Sequence, residues 1–267
     1  MPKKRNEKYR ETDEKDVARS SQAAGDFVIG RHPAVAALKS EQEINKVFLQ
    51  SGLKNDSLDE IRGMARKRHL VISEVPKTKL DTMASHQNHQ GVVLAVAAFQ
   101  YATLDDLFKR AEDAGEPPFF LILDEIEDPH NLGSILRTAD ASGVHGVIIP
   151  KHRSVGLTST VAKTSTGAIE TVPVAKVTNL SNAVAELKDR GLWIFGTDMN
   201  GTDYRRWDAK GPVGLVIGNE GKGISRLLKQ SVDETLTIPM VGTVQSLNAS
   251  VAAGLLMYQG FNSRHPL

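Results

Sequence analysis

Polar side chains with catalytic potential gather in three short segments in the second half of this 267-residue chain. In "DEIEDPHNLGSILRTAD" an apolar run passes through a tight turn into a helical pattern. Asn131 is a natural N-cap there, and Gly133 permits close approach to a partner. Arg137 and Thr138 fall within the first two turns, with Arg137 at the edge of a face formed by Leu132, Ile135, Leu136 and Ala139. An ion pair with Asp140 or Asp124 is the alternative role for that arginine. In "GLVIGNEGKGIS" an apolar run stops at Gly218, and Asn219, Glu220, Gly221 and Gly223 follow. In "IPMVGTVQSLNAS" Pro239 ends a strand, Gly242 turns the chain, and Ser246, Leu247, Asn248 and Ser250 open an Ala-rich helix. Ser246 or Asn248 caps that helix, leaving the other polar groups for a ligand or for neighbouring loops.

The glycine turn at 218–223 resembles a phosphate loop without matching one. Gly221 follows Gly218 too soon for a P-loop, Lys222 precedes Gly223, and the G-x-G-x-x-G order of dinucleotide folds is missing. Glu220 would repel phosphate where backbone N–H groups should attract it. A plain strand-to-helix turn is the alternative, but it has no use for Asn and Glu side by side at a strand's C-terminal end. The spacing therefore points to a ligand without phosphates.

The elements that position these segments alternate. "FFLILDEI", "GVIIP", "TVPVAKV", "LWIFGTD", "GLVIG" and "ETLTIPM" read as strands. The helices between and after them are "NLGSILRTADASG", "STVAKTSTGAI", "LSNAVAELKDRG", "ISRLLKQS" and "SLNASVAAGLLMYQGF". Such alternation predicts an α/β fold, a mostly parallel sheet covered on both faces, with ligands at the strands' C-terminal ends. Upstream, residues 1–25 are polar and predicted to be a disordered arm. Residues 26–100 form a small α/β unit, and "TLDDLFKRAEDAGEPP" within 101–118 is a linker helix capped by Thr103. The second domain covers 119–267.

Composition sets limits. Lys+Arg 33 against Asp+Glu 32 argues neither for nor against a nucleic-acid partner, so local clustering must decide. The absence of cysteine excludes disulfides and thiolate metal sites. No apolar run approaches the roughly 18 residues of a membrane span, and the N-terminus lacks a secretory signal's apolar stretch, so a cytoplasmic protein is expected. His86 and His89 have no third ligand candidate nearby, and no metal is expected. No acidic residue stands between Asp140 and Glu170, while Lys151, His152, Arg153 and Lys163 do, which suits an RNA backbone. Arg66 and Arg68, with Arg62 and Lys67, offer a second basic stretch that is equally explained as a solvated helix face. Aromatic residues are only 5% of the chain, favouring recognition of RNA shape over a wide stacking platform.

Taken together, N-x-G-x-x-x-R-T, I-G-N-E-G-x-G-I and I-P-M-x-G-x-V-x-S-L-N-x-S-V-A resemble the SpoU (TrmH) class of RNA ribose 2′-O-methyltransferases. The likeness spans roughly residues 119–262. "GRHPAVAAL" and "HQGVVLAV" within 27–100 are similar to the small substrate-binding domain, like ribosomal protein L30e, of RlmB-like members. The resemblance implies a SPOUT fold with a trefoil knot, S-adenosylmethionine as cofactor, a homodimer, and RNA as substrate. A large-subunit ribosomal RNA guanosine is its first implication; tRNA, or RNA binding without catalysis, are the alternatives. It also implies catalytic roles for Arg137, Asn131, Glu220, Ser246 and Asn248. Cofactor contacts fall to Thr197, Gly218, Asn219, Gly223, Ile238, Met240, Leu247 and Asn248, and RNA contacts to Arg137, Lys151, Arg153, Lys163, Arg66 and Arg68. The family assigns its arginine to activation of the 2′-hydroxyl. A guanidinium stays protonated in proteins, so a charged Arg137 that orients phosphate and stabilises a developing alkoxide is the better physical role. Ala249 stands where many relatives carry valine, a departure expected to affect packing only.

Overall fold

The computed structural model describes residues 27–40, 42–96, 99–243 and 246–267; the arm expected over residues 1–25 lies outside the described residues. The chain divides into two compact units, one up to Ala98 and one from Phe99.

The first unit runs β1 (Phe27–Ile29), α1 (Arg31–Lys39), β2 (Ile44–Gln50), α2 (Asp56–Lys67), β3 (Ile72–Val75), α3 (Lys77–Met83) and β4 (Val92–Val96). Its sheet has the order β1-β4-β2-β3, with β4 antiparallel to β1 and β2, and β2 parallel to β3. Strand alternation divides the core between two faces. Val47, Leu49, Val92 and Leu94 pack with Leu58 and Ile61 of α2, whereas Phe48 and Val93 pack with Leu80 of α3. Asn55 starts α2 by accepting from Ser57 N at 3.0 Å.

The second unit begins with α4 (Leu104–Ala114), started by a capping box between Thr103 and Asp106 and closed by Gly115 at φ 69°. This helix is not a free linker. Fully buried Leu107 belongs to the cluster of Phe120, Ile122 and Ile148, because an apolar helix stripe must be covered. A side chain at Gly146 would meet Leu107 Cγ at 2.2 Å, so the contact requires glycine there. The elements that follow are β5 (Phe119–Leu123), α5 (Pro129–Ala141), β6 (Gly146–Pro150), α6 (Ser159–Ser165), α7 (Ala168–Thr171), β7 (Val174–Val177) and α8 (Leu180–Asp189). Then come β8 (Trp193–Asp203), a 3-10 turn (Tyr204–Arg206), β9 (Val213–Ile217), α9 (Arg226–Lys229), β10 (Glu234–Thr237) and α10 (Ala249–Arg264).

All pairings in this six-stranded sheet are parallel, in the order β10-β8-β9-β5-β6-β7. Phe119, Leu121 and Leu123 of β5 face a cluster with Leu136 of α5 and Leu256 of α10, while Phe120 and Ile122 face Val184 and Leu187 of α8. Each such fully buried large side chain contributes about 1.5–3 kcal/mol. Two predicted elements change shape. The single helix expected over "STVAKTSTGAI" is two, broken where Thr166 and Gly167 take left-handed φ of 50° and 98°. The strand expected at "LWIFGTD" is longer but interrupted: Gly196 pairs with Thr235, and Thr202 with Leu236, so residues 197–201 leave the ladder. At the other partner, β10 ends at Thr237, ahead of Pro239, which has no N–H to donate.

Candidate active site

The site lies at the C-terminal ends of β5, β9 and β10, beside the interrupted stretch of β8. Helix α5 is capped by Asp128, whose side chain accepts from His130 N at 2.8 Å with Pro129 at the first helical position. Asn131, the cap expected from sequence, stands one turn further in, and its amide is thereby released for tertiary contacts. Its Nδ2 donates to Glu220 Oε1 at 2.9 Å, and its Oδ1 accepts from Asn248 Nδ2 at the same distance. Asn248 is the cap of α10: its Oδ1 accepts from Ser250 N at 3.0 Å and Val251 N at 3.3 Å. Its Nδ2 also reaches Glu220 Oε1 at 2.6 Å, and Ala249 N donates to that same oxygen at 3.0 Å. Three donors from two segments far apart in sequence thus converge on one carboxylate oxygen. The positive end of α10 adds to its stabilisation.

The loop holding Glu220 is closed on itself. Asn219 and Gly223 exchange backbone hydrogen bonds of 3.1 and 2.8 Å. Asn219 Oδ1 accepts from Gly221 N and Lys222 N, and its Nδ2 donates to Glu125 O at 3.1 Å. Gly223 has a φ of 67°, and a Cβ on Gly218 would lie 2.3 Å from Gly223 C, so both glycines are required by the turn. Buried Asp124 fastens the exit, accepting from Ser225 N at 2.7 Å.

Beside this loop lies a cavity of about 760 Å³. Thr197 enters it from the interrupted stretch of β8, Gly218, Asn219 and Gly223 from the closed loop, and Ile238, Met240, Ser246 and Leu247 from the segment before α10. Gly218, Ile238 and Leu247 lie outside strands and helices, so the regular ladders do not occupy their peptide groups. The cavity's charged lining residues are Asp198, Glu220 and Lys222. Lys229 holds Asp198, and its hydrogen bond, with a backbone N–H from Asn200, keeps that carboxyl below the usual range. Lys222 turns to Glu125 at 3.4 Å. With Asp198 held by Lys229 and Lys222 by Glu125, Glu220 is the lining charge without an ion-pair partner among the described residues, which suits a positively charged ligand and disfavours a polyphosphate. Asn248, expected among the cofactor contacts, is not a lining residue; its amide is occupied by Asn131 and Glu220.

Arg137 is exposed on α5 and has no hydrogen bond or ion pair among the described residues. Neither suggested carboxylate takes it: Asp124 accepts from Ser225 N, and Asp140 from Thr171 Oγ1 at 2.6 Å. Of the other cations expected to meet RNA, Lys163 and Arg66 are exposed and Lys151 is half-buried. Arg153 is exposed but paired with Glu125 at 2.9 Å. Arg68 is better described as a structural clamp, because its guanidinium donates to the carbonyls of Ala37, Leu38, Ser40 and Gln42 around the end of α1. Gly133 approaches a neighbouring helix, since a Cβ there would meet Thr164 Cβ at 2.5 Å. His89 accepts at Nδ1 from Gly91 N and so donates from Nε2 to Asp81 Oδ1 at 3.1 Å, pinning its loop. Among the described residues no group of His, Asp and Glu is arranged to hold a metal ion. Sequence reasoning gave no role to Glu125 or to Lys222, which fills the variable position of I-G-N-E-G-x-G-I; only the folded loops bring the two together.

Residues 118–258 match the SpoU rRNA Methylase family, and residues 27–102 match the RNA 2′-O ribose methyltransferase substrate binding family. The chain belongs to the SpoU methylase family. It is 53% identical over 243 residues to the Bacillus subtilis protein YacO, named as a TrmH family tRNA/rRNA methyltransferase, covering 91% of this chain and 97% of that one. A Staphylococcus saprophyticus protein named likewise is 52% identical over 239 residues, covering 89% and 96%. Among solved structures, the SpoU methyltransferase AviRb from Streptomyces viridochromogenes in complex with AdoMet aligns with a TM-score of 0.58 and 26% identity over 90% of both chains. The TrmH/SpoU tRNA modifying enzyme of A. aeolicus aligns with a TM-score of 0.51 and 29% identity, covering 60% of this chain and 84% of that one.

Proposed function

We propose that this chain methylates the ribose 2′-oxygen of RNA, using S-adenosylmethionine. The observation that carries the reading is the union of Asn131, Glu220 and Asn248 beside a phosphate-averse cavity, with the unpaired Arg137 on the helix that supplies Asn131. S-adenosylmethionine, as in the AviRb complex, supplies an electrophilic methyl on a sulfonium centre. Peptide groups at Gly218, Ile238 and Leu247 would hold its adenosine, and Thr197, Asn219, Gly223 and Met240 would enclose it. The cluster around Glu220 fixes the loops that form the cavity walls, so the donor's position is set before RNA arrives. Arg137 remains charged, orients a phosphate of the target nucleotide and stabilises negative charge developing on the 2′-oxygen. Ser246 lines the cavity, and we assign it to the same catalytic set.

Ribosomal RNA, with a large-subunit guanosine as first candidate, is the substrate we infer; the match of residues 118–258 to the SpoU rRNA Methylase family supports the RNA class. A tRNA substrate is the second reading, favoured by the likeness to the A. aeolicus enzyme. We extend the reading to a homodimer. Val251, Leu255 and Tyr258 are exposed at 52%, 39% and 46% with helical spacing on α10, an apolar stripe that a second copy would cover. The fold we infer also has the trefoil knot of the superfamily. The cytoplasm is the compartment this reading requires; no described helix is long and apolar enough to cross a membrane.

Transfer of labelled methyl from S-adenosylmethionine to undermodified ribosomal RNA and to tRNA, followed by nucleoside analysis, tests the reading. We expect a 2′-O-methylated nucleoside from ribosomal RNA, reduced by about 10²–10³-fold in Arg137→Ala with cofactor affinity intact. Base methylation, or transfer unaffected by Arg137→Ala, refutes it.

A further inference from the structure

Three loops at the C-terminal ends of neighbouring strands each contribute one charge to a cluster beside the cavity. Glu125 follows β5, Arg153 follows β6 and Lys222 follows β9. The Glu125 side chain is recessed, at 15% exposure, whereas those of Arg153 and Lys222 are 76% and 79% exposed. Arg153 Nη1 donates to Glu125 Oε1 at 2.9 Å, and Lys222 Nζ reaches Oε2 at 3.4 Å. One carboxylate thus holds two cations, and the cluster keeps a net positive charge. A guanidinium carries five N–H donors and an ammonium three, so most of these donors are not used by Glu125.

Stability does not explain the arrangement. Surface ion pairs contribute little to folding, yet Glu125 and Arg153 both adopt left-handed backbone, with φ of 57° and 54°. Strain of this kind is kept where the surrounding structure enforces it, commonly at functional loops. The enforcement is visible: Val155 N donates to Ile126 O at 2.9 Å, and Asn219 Nδ2 donates to Glu125 O. The hydrogen bond from Arg153, with that from Lys222, keeps the Glu125 carboxyl below its ordinary range.

We propose that Arg153 and Lys222, gathered by Glu125, form a preformed clamp for one backbone phosphate of the RNA substrate at the mouth of the cofactor cavity. The proposal rests on the RNA reading given above. Without Glu125 the two cations would repel each other; with it they wait in place, which lowers the cost of ordering two long side chains on binding. An arginine and a lysine aimed at one anion can share a phosphodiester between its two free oxygens. Lys222 also lines the cavity, so the same contact sets the RNA's register relative to the methyl donor. Glu125 is a positioning residue, acting only through the two cations.

Fluorescence anisotropy with the full chain and a labelled, undermodified fragment of large-subunit ribosomal RNA, repeated over a series of salt concentrations, tests the clamp. We expect Arg153→Ala and Lys222→Ala each to weaken binding about tenfold and to lower the salt slope by up to about one. The double variant should lose less than the product of the singles, because both side chains hold one phosphate. In a Glu125→Gln background that coupling should vanish, while calorimetric affinity for S-adenosylmethionine persists. Additive losses, or singles that bind RNA like wild type, overturn the clamp. So does a Lys222→Ala defect confined to S-adenosylmethionine affinity. If wild type binds no RNA, the clamp and the substrate reading fall together.

Discussion

Gly218→Ala is the sharpest test of how the cavity is built. The new Cβ would lie 2.3 Å from Gly223 C, 2.4 Å from Ile224 N and 2.5 Å from Gly223 O. These are backbone atoms, so no rotamer change relieves the overlap, and the loop must open by about 1 Å to reach ordinary van der Waals contact. Opening breaks the two hydrogen bonds between Asn219 and Gly223. Their net loss, at about 1 kcal/mol each, and residual overpacking bring the cost of the closed state to roughly 2–3 kcal/mol. If only the closed loop binds cofactor, a penalty near 2.7 kcal/mol leaves about 1% of molecules competent and weakens apparent affinity about a hundredfold. The same penalty lowers the melting temperature of the second unit by about 5–10 °C where the loop unfolds with it. Gly221→Ala is the matched control: its Cβ would meet only Asn219 Oδ1, at an ordinary 3.7 Å. Calorimetry with S-adenosylmethionine and thermal unfolding of both variants provide the assay. Affinity in Gly218→Ala within about threefold of wild type would refute the closed-cradle argument.

Two further outcomes follow from other parts of the molecule. Leu255→Asp, placing a charge in the exposed stripe of α10, should convert a dimer to a monomer by light scattering without unfolding the chain; an unchanged mass would remove the stripe from the interface. Burial holds the pKa of His145 below the usual histidine value against the raising influence of Glu116, while its Nδ1 accepts from Phe119 N at 3.1 Å. The unfolded chain therefore takes up a proton near pH 6.5 that the folded one refuses, so this contribution is complete above that pH and declines as pH falls through the folded value. Melting temperatures measured from pH 7.5 down to about 5 should fall more steeply for wild type than for His145→Gln, and parallel curves would contradict the assignment.

The parts of this fold that depend on local pattern were legible in the sequence. The alternation of "FFLIL", "GVIIP" and "GLVIG" with amphipathic helices gave the parallel sheet, because strands buried on both faces leave continuous apolar runs. The three polar segments marked the strand ends where the cavity lies. What stayed hidden depends on long-range choice. Asn131 and Asp128 are both acceptable caps; the helix starts at Asp128 because Pro129 fits the first position. Residues 197–201 leave the ladder because of the register of β10, a strand more than 30 residues downstream, which no window over β8 contains. Arg68 and Arg66 look alike in sequence, yet only Arg68 is within reach of the carbonyls ending α1. Glu125 lay in an acidic turn, and its meeting with Arg153 and Lys222 required three separate loops to be placed.

The convergence on Glu220 also bears on how the protein is made. Its partners stand 89 residues upstream, at Asn131, and 28 downstream, at Asn248, and the latter are themselves joined across 117 residues. Contacts of such separation form late, because the chain between them must already be ordered. The α10 cap that completes the cluster cannot form before residues beyond Val251 have been synthesised and have folded back onto α5. During translation the sheet strands β5 to β9 can pair while the carboxylate still lacks its asparagine and its helix. A nascent chain of this protein is thus born without an assembled centre, and acquires one only when its last helix docks.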